Sequence, residues 1–136
     1  MPDFVIDASI ATVWCFRDGA TSYTESLLQA LSSNSHEALV PTLWGYEIRN
    51  SVLMGLRRQR IAEDDAVAFL RSLPDLFIRL VELAFDTTFD LASRHGLTFY
   101  DAAYLELALR EQLPLASLDK ELVRAAERAG VTILQP

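Results

Sequence analysis

Phe4-Val5-Ile6-Asp7-Ala8-Ser9, residues 4–9, decides the fold: a short apolar run suited to a buried strand is closed at once by a carboxylate. Working outward, runs of the same kind recur at Ala38-Leu39-Val40 (closed by Pro41), Ile78 to Leu83, Leu115-Ala116-Ser117 and Val131 to Leu134. The third is short enough that a helix stays open there. Helical patterns lie between them. Ser9 to Phe16 begins one, and Thr21 to Leu31 sets Leu27, Leu28 and Leu31 on one side. From Leu43 to Arg58, Trp44, Ile48, Val52 and Leu56 step by four. Asp64 to Leu73 opens on an acidic turn and is ended by Pro74. Phe85 to His95 is followed by Gly96 as its C-cap, Tyr100 to Glu111 is rich in Ala, Leu and Tyr, and Asp119 to Ala129 is stopped by Gly130.

Strands alternating with helices predict the α/β class: a three-layer α/β/α arrangement with a parallel five-stranded sheet and right-handed crossovers. Ligands in such sheets bind beyond the carboxyl ends of the strands, near a topological switch point. The sequence shows no repeat, low-complexity tract or linker, so residues 1–136 are expected to form one domain.

Hydrophobic residues at 51% against 23% charged exclude a disordered chain. No apolar run reaches membrane-spanning length, and Met1-Pro2-Asp3 lacks the basic residues of a signal peptide. The single cysteine, Cys15, excludes an internal disulfide and fits a reducing, cytoplasmic setting; between Trp14 and Phe16 it reads as core filler. The net charge of −7 argues against nucleic acid as a partner. Against that, a carboxylate cluster with bound cations would inflate the count, and Arg49, Arg57, Arg58 and Arg60 gather in one segment. A solvated helix end accounts for that cluster somewhat better than a nucleic-acid surface does.

Four carboxylates stand at strand ends or in first helical turns. Asp7 ends the first strand, Asp119 follows the fourth, Glu47 lies early in the Leu43 helix and Asp101 opens the Tyr100 helix. Whether Asp101 reaches the same sheet edge is open at this stage. Each aspartate taken alone reads as an N-cap, and Glu47 alone as a solvated residue. Their surroundings are largely apolar, where a charge needs a partner, and carboxylates gathered together need a shared proton or cation. Oxygen donors without a His or Cys cluster suit Mg²⁺ or Mn²⁺; His36 and His95 show no ligand spacing, which argues against zinc. Carboxylate-held Mg²⁺ or Mn²⁺ points to phosphodiester hydrolysis.

Val5-Ile6-Asp7-Ala8-Ser9, Tyr46-Glu47-Ile48-Arg49-Asn50, Leu97 to Leu105 around Asp101, and Leu115-Ala116-Ser117-Leu118-Asp119-Lys120-Glu121-Leu122 occur in that order. In this respect the chain resembles the PIN-domain family, and within it the VapC toxins of bacterial toxin–antitoxin pairs. The resemblance covers essentially the whole chain. It implies strand order 3-2-1-4-5, with Asp7 and Asp119 facing each other at the switch point. It implies a Mg²⁺- or Mn²⁺-dependent endoribonuclease that leaves a 3′-hydroxyl and a 5′-phosphate. Asp7, Asp101 and Asp119 are expected to hold the metal, with Glu47 beside them or acting through water. Ser9 and Ser117 are expected to orient carboxylates or water, and Asn50 shares a helix face with Glu47. A cognate VapB-like antitoxin, an RNA substrate and a homodimer are the implied partners. An antitoxin helix would use apolar residues such as Leu53, Leu56, Phe69, Leu70 and Leu73, and an antitoxin Arg would reach the acidic pocket. Arg17, Tyr23, Arg49, Arg57 and Arg58 are candidates for the RNA surface.

Other acidic α/β domains fit less well. Ser9 stands where a haloacid-dehalogenase-type phosphatase needs a second Asp. A response-regulator receiver needs an acidic pair beside Asp7 and a phosphoacceptor after the third strand, and neither is present. The G-x-x-x-x-G-K pattern of a P-loop NTPase is missing. A PIN-domain protein of RNA processing, or a non-catalytic scaffold that binds RNA or protein, remains the alternative.

Overall fold

A computed structural model describes residues 2–135; Met1 and Pro136, the two ends of the expected domain, lie outside the described residues. Strand β1 (Phe4–Ile6) is fully buried and central. It pairs in parallel with β2 (Ala38–Pro41) on one side and β4 (Leu115–Ala116) on the other, and β3 (Ile78–Val81) lies outside β2. The order is therefore β3-β2-β1-β4. The expected fifth strand is reduced to one parallel bridge, Leu115 to Ile133. The position agrees with the 3-2-1-4-5 order, but the length does not. Leu115 spends its N–H on Thr132 O and its C=O on Leu134 N, and β4 turns away into the next loop after two residues, so the ladder has nothing further to pair.

Helices α1 (Ala8–Cys15), α2 (Ser22–Ser32), α3 (Leu43–Arg57) and α4 (Glu63–Ser72) make the crossovers from β1 to β2 to β3. Helices α5 (Phe85–His95) and α6 (Phe99–Glu111) return the chain across the sheet to β4, and α7 (Lys120–Arg128) follows. Right-handed crossovers place α1–α4 on one face and α5–α7 on the other. The contacts agree: α1 packs on α2 and α3, and α3 on α4, while α6 packs on α5, α7 and the sheet. The chain leaves β1 toward β2 and leaves β4 the opposite way, toward the bridge at Ile133, so the gap between β1 and β4 is the switch point. Two short 3₁₀ turns, Arg17–Gly19 and Leu73–Asp75, were not foreseen from the sequence.

Helix α6 is buried all round from Ala102 to Ala108, as its lack of a polar face requires. Gly96 adopts φ 64°, the left-handed cap that separates α5 from α6. Gly55 serves packing instead: a Cβ there would lie 2.3 Å from the Phe16 ring, which crosses α3 at that point. No helix among the described residues is long and apolar enough to cross a membrane.

Candidate active site

The end of β1 is built around one carboxylate. Asp7 is only 4% exposed and caps α1, its Oδ1 accepting from Ser9 N at 3.1 Å. The Ser9 hydroxyl donates to the same oxygen at 2.5 Å, and the Ser117 hydroxyl donates to Oδ2 at 2.5 Å. Each serine oxygen also accepts a backbone N–H from the loop after β4: Leu118 N to Ser9 at 2.9 Å, and Asp119 N to Ser117 at 2.9 Å. Two hydroxyls thus tie the carboxyl ends of β1 and β4 together across the switch point. Asp119 caps α7, accepting from Glu121 N and Leu122 N. The capping role read from the sequence is real for Asp7 and Asp119, and it leaves both carboxylates at the sheet edge. It does not hold for Asp101. Thr98 is the cap of α6, accepting from Asp101 N, because the helix begins two residues ahead of Asp101. That puts the Asp101 carboxylate in the first turn with no capping duty.

The four acids share one electrostatic environment. Burial pushes Asp7 up from 3.8 to about 6, against the two serine hydrogen bonds and the Ile10 amide, with the Asp119 charge adding to the rise. Burial raises Glu47, opposed by a hydrogen bond from Tyr104 and reinforced by Asp101. Burial and then the Asp119 charge raise Asp101, while the Thr98 hydroxyl lowers it. Asp101 is therefore at the same edge as Asp7 and Asp119, which the sequence left open. Among the described residues, none of the four takes part in an ion pair.

The donor chemistry fits an oxygen-seeking divalent cation. It consists of carboxylates that repel one another and hydroxyls that hydrogen-bond to them, with no cationic side chain paired to them among the described residues. Among the described residues, no three His, Cys, Asp or Glu side chains converge tightly enough to close a metal site in the conformations seen. His36 and His95 are half-buried.

Tyr104 escaped the sequence reading. It is 1% exposed and donates its hydroxyl to Glu47. Its position three residues after Asp101, on the same helix face, was the available signal. Asn50 is exposed and makes no side-chain hydrogen bond among the described residues. Tyr23 does not fit the RNA surface expected for it: it is buried, with its hydroxyl on Leu134 O at 2.8 Å, because α2 packs it inward. Arg17 pairs with Glu25 at 2.7 Å, and Arg49 bonds to Gly45 O at 2.9 Å. Arg60 lies 4.4 Å from the Phe16 ring centre, beside Asp18, while Arg57 and Arg58 are exposed. Of the apolar residues expected for an antitoxin groove, Leu73 is core, Leu56, Phe69 and Leu70 pack against it, and Leu53 is exposed.

The PIN-domain pattern matches residues 4–128. The chain belongs to the PIN-domain family. Its relatives include ribonuclease VapC3 of Pyrobaculum aerophilum, 32% identical over 124 residues, which covers 87% of this chain and 90% of that protein. Ribonuclease VapC1 of Mycobacterium tuberculosis is 31% identical over 133 residues, or 92% of each. The crystal structure of Mycobacterium tuberculosis VapC20, described as a Sarcin-Ricin loop cleaving toxin, superposes with a TM-score of 0.65. The match is at 14% identity and covers 98% of this chain and 100% of that one, which shows the shared PIN fold.

Proposed function

We propose that the chain is a metal-dependent endoribonuclease and the toxin of a type II toxin–antitoxin pair. The observation that carries the reading is that Asp7, Glu47, Asp101 and Asp119 feel one another's charge while, among the described residues, no cationic side chain is paired to any of them. The VapC ribonucleases among its relatives supply the substrate class.

Asp7, Asp101 and Asp119 would hold Mg²⁺ or Mn²⁺, with Glu47 beside them or acting through water. The bound ion supplies acidification of water and stabilisation of charge on a phosphoryl oxygen. The chain's own residues do the rest. Ser9 and Ser117 occupy both oxygens of Asp7 and fix its plane, so that β1 and β4 present their acids in a constant relation. Water adds to phosphorus, the bond to the 3′ oxygen breaks, and the products are a 3′-hydroxyl and a 5′-phosphate. Exposed Arg57 and Arg58 would meet the RNA backbone, and base recognition would fall on unpaired loops.

The partners follow the same reading: a VapB-like antitoxin that brings an Arg to the acids, and a second copy of the chain. Tyr46, Leu80, Phe85, Phe89 and Tyr100 are all more than half exposed, and such partners would cover them.

The test is to induce the wild-type chain and its Asp101→Asn variant in a bacterial host and map new RNA 5′ ends. Growth arrest with discrete new ends, absent in the variant, is the expected result. Equal patterns of ends in both would refute the assignment.

A further inference from the structure

The Tyr104 ring is fully enclosed on α6, yet it ends in a hydroxyl that needs a partner. The partner is Oε1 of Glu47, which sits on α3, 57 residues away in sequence. Among the described residues Tyr104 is the only side chain hydrogen-bonded to Glu47, and Oε2 is left without one. Phenylalanine would fill the same volume, so packing alone does not explain the hydroxyl. Asp101 lies one turn earlier on the same helix, and Glu47 is close enough to feel its charge.

We infer that Tyr104 is a positioning residue: from a rigid, buried ring it fixes one oxygen of Glu47, so that the other faces the site shared with Asp101. This rests on the metal-site reading above and deepens it. A glutamate has three side-chain torsions, and a half-buried one loses entropy when it is ordered. The phenol meets that cost in advance, before any ion arrives. Helix α6 thereby contributes twice, presenting Asp101 from its first turn and aiming the acid of α3 from its second.

The test is calorimetric titration of the apo chain with Mn²⁺, with melting temperatures recorded alongside. The proteins compared are wild type, Tyr104→Phe, Glu47→Gln, the double variant and Asp101→Asn. Tyr104→Phe should weaken Mn²⁺ binding about tenfold, the scale of losing a residue that orients a ligand. In the Glu47→Gln background the same change should cost nothing more. Wild-type affinity in Tyr104→Phe, or an equal loss in both backgrounds, would overturn the inference. Should Tyr104→Phe fail to fold, Glu47→Asp leaves the ring in place and withdraws the carboxylate by one methylene. A loss of affinity there supports the tether, and wild-type affinity there overturns it. The metal-site reading fails separately, and takes this inference with it, if the wild type does not bind Mn²⁺ or if Asp101→Asn binds it unchanged.

Discussion

Helix α6 carries Asp101 and Glu106 little more than one turn apart, and the two carboxylates are treated in opposite ways. Glu106 is 3% exposed and gripped by Arg110 through two hydrogen bonds, at 2.8 and 3.0 Å. Arg110 then reaches Glu82 O at 2.9 Å, which fastens α6 to the segment after β3. At the other end, Asp101 and its neighbours Asp7, Glu47 and Asp119 have hydroxyls and amides for company, but no guanidinium or ammonium paired to them among the described residues. A buried carboxylate without a cation is costly. Where the fold needs an acid for architecture, it supplies the counter-charge from the next turn. Where the counter-charge is withheld, from buried Asp7 and half-buried Glu47, Asp101 and Asp119, the arrangement fits the cation site proposed above.

The largest effect that would sharpen this contrast is on activity. Asp101→Asn removes a charge and almost no volume, so RNA cleavage by the purified protein should fall at least about a hundredfold. Its melting temperature without metal should be held or raised, because repulsion from Asp119 is relieved. A variant that cleaves normally would place Asp101 on the structural side of the comparison. At the other end of α6, Arg110→Ala should cost about 3 kcal/mol in urea unfolding, since Glu106 stays buried with no cation, while leaving the cleavage chemistry in place. No loss of stability there would break the contrast from the opposite side.

How much of this the sequence showed differs between those two ends. Asp7, Asp119, Glu47 and Asp101 could be named as candidates because strand ends and the early part of helices are positions that a pattern of alternating elements defines. Glu106 and Arg110 are four apart on one helix, so their pairing was within reach of the sequence, but the burial of Glu106 depends on how deeply α6 is packed, which is a tertiary property. Tyr104 was hidden for the same reason: its partner lies on another helix. Thr98 was passed over as the cap because the aromatic pair Phe99-Tyr100 draws the apparent helix start forward. The fifth strand was over-read because Val131 to Leu134 has strand composition, while the length of its ladder is set by two-residue β4.

Acidity offers a subtler test. With Asp7 at about 6 in the fold and near 3.8 unfolded, the folded chain binds the extra proton between those values. The contribution of Asp7 to the stability of the metal-free protein should therefore be greatest below about pH 4, with roughly 3 kcal/mol lost as pH rises through about 6 and not regained above. Urea unfolding in chelator across that range should show the decline in wild type, and Asp7→Asn should flatten it. A stability that climbs over the same range would mean that Asp7 has a favourable counter-charge after all. The smallest effect is expected at Ser117→Ala. It deletes one donor to Asp7 and one acceptor for Asp119 N, costs about 1 kcal/mol in the same assay, and should weaken Mn²⁺ binding in step.

The most direct measurement is anomalous diffraction from crystals of the chain soaked in Mn²⁺, recorded at the manganese edge. The account predicts a peak at the carboxyl edge of β1 and β4, within coordination distance of Asp7, Asp101 and Asp119. A saturating soak with no peak among these acids, or with its only ordered ion elsewhere, would contradict the account.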